Sequence, residues 1–243
     1  MHRKRTLIGM LTPSSNTALE PITTMMLAGL PDASAHFGRF RVTQIALNDT
    51  ALKQFDDSNI LAAAELLADA ELHAIAWNGT SSSWLGFDSD EKLCQRITER
   101  TGIPAGTSVL AINEILGATG ARDIAFVTPY TDDVQARIDA NYARAGFNVV
   151  AERHLGLSHN FSFSEVGEEE IVAMVREVAK AKPQAIIPLC TNLKAAPLVE
   201  QLEREIGIPI YDSISTAVWK CLKLAGVDPK RVAGWGRLFR EVT

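Results

Sequence analysis

The sequence predicts an α/β protein with two pseudo-symmetric lobes, each a parallel sheet flanked by helices. Short apolar runs bounded by turn residues alternate with amphipathic stretches, a pattern typical of a parallel sheet covered by helices. The second half of the chain also repeats the order of motifs found in the first half. We therefore expect a first lobe over residues 1–117, with residues 215–243 packing back on it, and a second lobe over residues 118–243. The active site is expected in the cleft between them.

Strands are predicted where aliphatic and β-branched residues form short runs between turn residues. In chain order these runs are Thr6–Leu11, Phe40–Ala46, His73–Trp77, Ile124–Thr128, Phe147–Ala151 and Ala185–Leu189, with shorter strands at Ala105 and Ile208. Helices are predicted where apolar residues recur at three- and four-residue spacing. The clearest are Ser58–Ala70, Ser89–Thr101, Asp132–Ala145, Glu168–Ala181, Ala195–Ile206 and Ser215–Leu224.

The internal repeat is visible in two pairs of segments. LIGMLTPSSNTALEP, from Leu7, resembles DIAFVTPYTDDVQAR, from Asp123. AIAWNGTSSS, from Ala74, matches AIIPLCTNLK, from Ala185, and each is followed by a helix and a Gly-Ile-Pro strand entry. The two halves are therefore expected to share one layout.

Four loops of this layout are expected to meet at one cleft. In α/β lobes, ligands bind beyond the carboxyl ends of the strands, where helix N-termini offer free N–H groups. The loops that meet there are predicted to be Pro13–Thr17, Asn78–Ser83, Pro129–Asp132 and Cys190–Lys194. In the repeat, Gly79 stands where the second half has Cys190, so the cleft is expected to hold one thiol.

Composition and charge argue against several classes of protein. With 24 basic and 29 acidic side chains and a formal net charge of -5, the chain has no broad basic field, so nucleic acid is not an expected partner. The first apolar run, Leu7–Leu11, is too short for a signal sequence or a spanning helix, so we expect a cytoplasmic protein with no membrane partner. No metal-ligand spacing or phosphate-binding glycine motif implies a metal or a nucleotide cofactor.

Among the three cysteines, Cys190 is the chemical candidate. It ends a strand and precedes Thr191 and Asn192 at the expected opening of a helix, whose positive terminus favours the thiolate. The alternative is a small buried apolar side chain. For Cys94 and Cys221, both inside predicted helices, that structural interpretation is preferred.

The segment NGTSSS, Asn78–Ser83, suggests a carboxylate-binding turn. Its glycine, hydroxyl groups and backbone N–H groups are suited to binding an oxyanion, although such a turn is equally suited to helix capping. Tyr130 follows the matching strand of the second half, where its phenol can reach the same oxygen atoms. Asn16 faces the cleft from the first turn, and Asn160 lies in the loop LSHNFSF, which can close over the cleft. A capping role for Asn16 and a surface position for Tyr130 remain alternatives.

Taken together, these motifs resemble the aspartate/glutamate racemase superfamily, in the branch that contains arylmalonate decarboxylase and maleate cis-trans isomerase. The resemblance covers almost the whole chain through IGMLTPSSNT, NGTSSSW, TPYTDDV, CTNL, LEREIGIPI, DSISTAVW and GWGRLF. It implies a two-lobed fold with a cofactor-free active site on the pseudo-twofold axis. Racemases of this superfamily carry a cysteine in each lobe, and this chain departs from them at Gly79.

The resemblance implies a role for each site residue. In the similar decarboxylases a glycine followed by Thr-Ser replaces the first-lobe cysteine, which Gly79, Thr80 and Ser81 reproduce. Thr80, Ser81 and Tyr130 would then form a dioxyanion hole, and Cys190 would donate a proton. The expected substrate contacts are Pro13, Ser14, Asn16, Gly79, Asn160 and Thr191. Asn16 and Asn160 look more like the maleate isomerases, whose first-lobe cysteine attacks the double bond.

Three functions stay open from the sequence. The preferred one is a cofactor-independent decarboxylase of a substituted malonate or similar small diacid, with an enediolate intermediate. The second is an isomerase or racemase of a small dicarboxylate or cyclic amide, and the third is a binding protein for a small acid without turnover. A small dicarboxylate is the expected partner. A homo-oligomer is also possible, since apolar helix faces such as Ile60–Leu67 suit either internal packing or a dimer contact.

Overall fold

A computed structural model describes residues 5–47 and 57–243 and contains two parallel sheets with helices on their faces. The strands are β1 Thr6–Pro13, β2 Ala33–Phe40, β3 Ala74–Trp77, β4 Ala105–Thr107, β5 Asp123–Thr128, β6 Asn148–His154 and β7 Ala185–Pro188. The α-helices are α1 Leu19–Leu27, α2 Asp57–Ala68, α3 Ser82–Leu85, α4 Phe87–Thr101, α5 Ser108–Thr119, α6 Asp132–Arg144, α7 Glu168–Ala179, α8 Val199–Ile206, α9 Ser213–Leu224 and α10 Arg237–Glu241. Short 3-10 turns lie at Asn160–Glu165, Ala196–Leu198 and Pro229–Arg231.

The two sheets have the same topology around a central strand. The first has the order β2-β1-β3-β4 and the second the order β6-β5-β7, and all pairs are parallel. An isolated parallel bridge between Ile186 and Ile210 extends the second sheet where β4 extends the first. The predicted fold class, two pseudo-symmetric α/β lobes, is confirmed.

Two strand predictions are wrong. The strand expected at Phe40–Ala46 lies earlier, at Ala33–Phe40, and the short strand expected at Ile208 is reduced to the single bridge of Ile210. β2 is an edge strand with mostly half-buried residues, so it lacks the apolar pattern that marks a central strand. The apolar residues after it, Val42 and Ile45, are buried against the cleft instead of in a sheet.

The predicted helices are present with shifted ends, and residues 5–47 and 57–243 form four further helices that the sequence pattern does not predict. The helix expected at Ala195–Ile206 begins as a 3-10 turn and becomes α-helical only at Val199. α5 was missed because apolar residues surround most of it, which hides the helical period; its N-terminus is capped by Thr107, whose hydroxyl accepts from the Leu110 N–H at 3.1 Å.

Helix α9, from the last part of the chain, packs against β3, β4 and α5 of the first sheet. Trp219 on this helix is fully buried, and its indole N–H donates to the carbonyl of Val242 at 3.3 Å. The predicted division after residue 117 falls inside α5 and stays a prediction. Within the described ranges no helix is both long and apolar enough to cross a membrane.

Candidate active site

A cavity of about 290 Å³, counting its mouth, lies where β1, β3, β5 and β7 point their carboxyl ends at one another. All four predicted loops contribute to its wall. The described lining residues are Pro13, Val42, Ile45, Trp77, Gly79, Thr80, Ser81, Trp84, Tyr130, Asn160, Cys190 and Thr191. The cavity wall thus combines hydroxyl groups, one phenol and one thiol with apolar side chains.

Tyr130 and Thr80 form the closest polar pair of this wall. The phenol oxygen of Tyr130 lies 2.6 Å from Oγ1 of Thr80. The Tyr130 ring is fixed by edge-on packing against Trp84 and Phe163, with centroid distances of 5.2 and 5.7 Å. Burial raises the pKa of the Tyr130 phenol well above its usual value, so the group is a neutral hydrogen-bond donor.

The turn before α3 supplies further donors. Ser81 stands at the N-terminus of α3, and its hydroxyl makes no capping bond. No hydrogen bond within the described part of the chain uses the backbone N–H of Thr80 or Ser81. The turn is held from behind, because Ser83 donates its hydroxyl to the Thr80 carbonyl at 2.6 Å. This arrangement leaves hydroxyl and amide donors free at the cavity.

Cys190 contributes a protonated thiol. Its side chain is buried, and the Asn192 N–H lies 3.4 Å from Sγ. Burial raises the pKa of the thiol to about 11, because desolvation outweighs the hydrogen bonds from the Asn192 amide and the Tyr130 hydroxyl. The expectation of a thiolate favoured by a helix terminus is therefore wrong. α-Helical structure begins only at Val199, too far along the chain to offset desolvation.

Asn16 and Ser14 lie behind the cavity wall. Asn16 donates from Nδ2 to the backbone and side-chain oxygens of Thr191 at 3.1 and 3.2 Å, and its Oδ1 accepts from two backbone N–H groups at the start of α1. Ser14 donates its hydroxyl to the Val42 carbonyl at 3.3 Å. These two polar side chains therefore join loops of the protein, whereas the other predicted site residues line the cavity.

The apolar half of the wall was not identified from the sequence. It consists of Val42, Ile45, Trp77 and Trp84. Val42 and Ile45 lie in the stretch predicted as the second strand, and the sequence predicts Trp77 only as the last residue of a core strand. The signal that could have found Trp77 is its position two residues before Gly79, since alternate residues of an extended chain share one side.

Two segments from opposite lobes that contribute to the cavity wall are paired with each other. The Ile45 N–H donates to the Ser158 carbonyl at 2.8 Å, and the Asn160 N–H donates to the Thr43 carbonyl at 3.0 Å. Gln44 and His159 form an antiparallel bridge between these bonds. The loop LSHNFSF is thus paired with residues 43–45 and contributes Asn160 to the cavity wall; its closing over the cleft stays a prediction.

Two parallel-sheet lobes that meet at a buried thiol, a phenol–hydroxyl pair and free amides define the class of protein. The chain is a two-lobed α/β protein with its candidate site between the two sheets, as its internal repeat predicted. The family model described as arylmalonate decarboxylase matches residues 8–239, so the chain belongs to that family.

Similar proteins of this family catalyse two different reactions. The chain is 27% identical over 237 residues to the arylmalonate decarboxylase of Bordetella bronchiseptica, covering 96% of each chain. It is 25% identical over 241 residues to the maleate isomerase of Nocardia farcinica, covering 96% of this chain and 95% of the relative. A mutant of the Nocardia farcinica maleate cis-trans isomerase, solved with a covalently bound succinylcysteine intermediate, shares the fold with a TM-score of 0.87 at 24% identity, covering 98% and 99% of the two chains. The chain is an enzyme of this family.

Proposed function

We propose that the enzyme is a cofactor-independent decarboxylase of a substituted malonate or a similar small diacid. The observation that carries the proposal is that the second lobe places a thiol in the described cavity wall and the first lobe does not. One protonated thiol, Cys190, faces the cavity from the second lobe, and Gly79 offers no chemical group from the first. Neutral donors surround the position between them.

The first step is the loss of carbon dioxide. The retained carboxylate accepts hydrogen bonds from the Thr80 backbone N–H, the Ser81 hydroxyl and the Tyr130 phenol, whose oxygen accepts the Thr80 hydroxyl proton, while the bond between the α-carbon and the other carboxylate breaks. The electron pair of that bond becomes the carbon–carbon double bond of an enediolate, whose negative charge lies on the two held oxygens. Fixed donors at those oxygens lower the barrier because the charge increases there in the transition state.

The departing carboxylate is placed against the apolar wall. Val42 and Ile45 offer it no hydrogen bond, so its charge is poorly stabilised until it leaves as neutral carbon dioxide. The Cys190 thiol then donates its proton to the α-carbon, and the resulting thiolate regains a proton from water. A single acid on one face yields a single enantiomer.

Maleate isomerisation is the second candidate, because relatives with that name match the chain as well as the decarboxylase does. A covalent route would require the Cys190 thiolate to attack the double bond, since Gly79 supplies no thiol. The pKa of about 11 leaves little thiolate at neutral pH, which favours the proton-donor role.

The deciding experiment is carbon dioxide release from methyl-, vinyl- and phenylmalonate, run beside conversion of maleate to fumarate. The parent protein is compared with Cys190→Ala, and Cys94→Ala serves as a thiol control outside the cavity. Release by the parent and by Cys94→Ala, with loss in Cys190→Ala, is the expected result. Conversion of maleate without release from any malonate would overturn the proposal in favour of the isomerase. Diacid binding without either reaction would identify a binding protein.

A further inference from the structure

We propose that Trp77 determines substrate specificity in this enzyme: its indole fills the first-lobe side of the cavity and limits the substrate to a small alkyl substituent. This inference rests on the proposed decarboxylase function and names the class of diacid, an alkylmalonate with a side group of one or two carbons. It also places the indole of Trp77 in the space beside Gly79.

The contact between Trp77 and Gly79 is the first observation. A Cβ atom at Gly79 would lie 1.9 Å from Cζ2, 2.3 Å from Cε2 and 2.5 Å from Cη2 of the indole. Real Cβ atoms essentially never approach a heavy atom within 3.0 Å. The indole therefore lies directly over Gly79, and no side chain fits at that position while the ring is there.

The internal repeat shows how the two lobes differ. It aligns Trp77 and Gly79 of the first lobe with Pro188 and Cys190 of the second. The second lobe thus combines a small ring with a thiol, whereas the first combines a large ring with no side chain. The volume available to a thiol on the first-lobe side is occupied by the indole.

The Trp77 ring is well supported from behind. Its side chain is buried, and the Phe40 ring packs against it with a centroid distance of 5.0 Å and an interplanar angle of 48°. Phe40 is not among the described cavity-lining residues. The indole is therefore a fixed part of the wall, and a substrate cannot displace it without disturbing this packing.

The size of the cavity sets the limit on the substrate. Of its volume of about 290 Å³, mouth included, about 20 Å³ is accessible to the centre of a water molecule, compared with roughly 300–1,000 Å³ for small-molecule sites in general. The retained carboxylate requires the polar part of the wall and the departing carboxylate lies against Val42 and Ile45, so the substituent must share the remaining space with Trp77 and Trp84. The wall must move apart to admit a diacid, and a methyl substituent requires less displacement of the indole than a phenyl ring does.

The test compares kcat/KM for methylmalonate and phenylmalonate in the parent, Trp77→Leu and Trp77→Phe. The parent is expected to prefer methylmalonate. Trp77→Leu is expected to shift the ratio towards phenylmalonate by at least about tenfold, as for pockets that gain the room of several methylene groups. Trp77→Phe should shift it less, and this smaller change keeps the test available if Trp77→Leu does not fold.

Phe40→Leu is the matched control, because it removes an aromatic ring from the same packed pair without opening the cavity wall. It should lower the melting temperature and leave the substrate ratio unchanged. An unchanged ratio in the folded Trp77 variants would overturn the proposal, and so would an equal shift in Phe40→Leu.

A separate measurement distinguishes failure of the proposed function from failure of this inference. If no protein in the series releases carbon dioxide from either malonate, the decarboxylase function fails, and the ratio of dissociation constants for the same two diacids is measured by calorimetry. A shift of that ratio in Trp77→Leu still supports the role of Trp77 in selecting the substituent, and equal ratios overturn it.

A thermal double-mutant cycle tests the contact between Trp77 and Gly79. Gly79→Ala should lower the free energy of unfolding less in the Trp77→Leu background than in the parent. Additive losses would show that the indole does not occupy this space.

Discussion

Cys190 shows how the surroundings of one residue select its chemistry. The same thiol at the surface would be partly ionised near neutral pH, but inside the cavity desolvation keeps it protonated. The neighbouring phenol of Tyr130 is also neutral, so the site provides donors and no anion of its own at this position. A dicarboxylate substrate is thus met by hydrogen-bond donors without repulsion from these groups.

The thiol pKa predicts the sign of a pH effect. A proton donor acts in its protonated form, so the chemical step should be independent of thiol ionisation at neutral pH and should fall as pH rises towards about 11. Single-turnover rates measured from pH 7 to 10.5 check this. A rate that increases steadily with pH would instead indicate a thiolate nucleophile.

Tyr130→Phe tests the dioxyanion hole. Removing one donor of such a hole is expected to lower kcat by about 100- to 1,000-fold, because the enediolate charge loses a fixed hydrogen bond. Tyr142→Phe is a matched control: the Tyr142 hydroxyl is buried, lies outside the cavity lining and has no partner in the described residues. The control should retain full activity in the same decarboxylation assay. Equal activity of the two variants would exclude Tyr130 from the hole.

At the scale of the element, helix α9 carries a buried acid at its N-terminus. Asp212 caps the helix, with Oδ1 accepting from the N–H groups of Ile214 and Ser215 at 2.8 and 3.0 Å. Its Oδ2 is buried without a partner among the described residues. Burial raises the pKa of Asp212 from 3.8 to about 7, so the folded protein holds this proton more tightly than the unfolded chain does.

Asp212→Asn should change the pH dependence of stability. The pKa of Asp212 is higher in the folded protein than in the unfolded chain. The protonated carboxyl therefore contributes to the free energy of unfolding at low pH, and this contribution is lost as pH rises from about 4 to about 7. Asparagine retains the capping oxygen and cannot ionise. The free energy of unfolding of the variant, relative to that of the parent, should therefore increase between pH 5 and pH 8, by roughly a few kcal/mol at most.

Urea unfolding at the two pH values measures this gain. Asp228→Asn is the control, since Asp228 is an exposed carboxylate that caps the short turn Pro229–Arg231. Its unfolding curves should follow those of the parent at both values. If the curves of Asp212→Asn also remain parallel to the parent's, the carboxyl is not the buried titrating group.

The elements also show where sequence patterns stop being informative. Regular periodicity located the central strands and the amphipathic helices, because each reflects burial of one face. The edge strand β2 escaped because it is mostly half-buried, and α5 escaped because it is buried on most sides. In both cases the pattern depends on the neighbours of the element and not on its own period.

At the scale of the whole molecule, polar side chains join the lobes beside the cavity. Asn192 accepts from the Thr17 and Ala18 N–H groups at 2.9 and 3.3 Å and donates to the Asn160 carbonyl at 2.6 Å. Thr191 donates its hydroxyl to the Asn78 carbonyl at 2.8 Å. The second-lobe loop that carries Cys190 is thus fixed to first-lobe loops on either side of it.

Asn192→Ala should weaken this junction. It removes the partner of the buried Asn160 carbonyl and of the part-buried Thr17 N–H, while the Ala18 N–H keeps Asn16, which predicts a loss of about 2 kcal/mol in the free energy of unfolding. Asn148→Ala, which removes one exposed hydrogen bond to Asp123, is the control and should cost under about 1 kcal/mol. Urea titration compares the two. Equal losses would show that the junction contributes no more than a surface contact.

The two lobes are expected to unfold together. Helix α9, which follows the second sheet in the chain, covers part of the first sheet, and one continuous core includes residues of both lobes. Separate unfolding would therefore expose apolar surface in the lobe that remained folded. Unfolding curves followed by tryptophan fluorescence and by far-ultraviolet circular dichroism should coincide. Two separated transitions would contradict this expectation.

The sequence by itself determined the α/β class, the internal repeat, the loops that form the cavity and the presence of one thiol in it. These properties follow from local periodicity and from the alignment of the two halves, which are both carried by residues close together in the chain. The tertiary structure decided the protonation of Cys190, the position of Trp77 over Gly79, the hydrogen bonds by which Asn16 joins two loops behind the wall, and the pairing of residues 43–45 with the loop LSHNFSF. Each of these depends on burial or on contacts between distant segments, and such contacts exist only once the chain has folded.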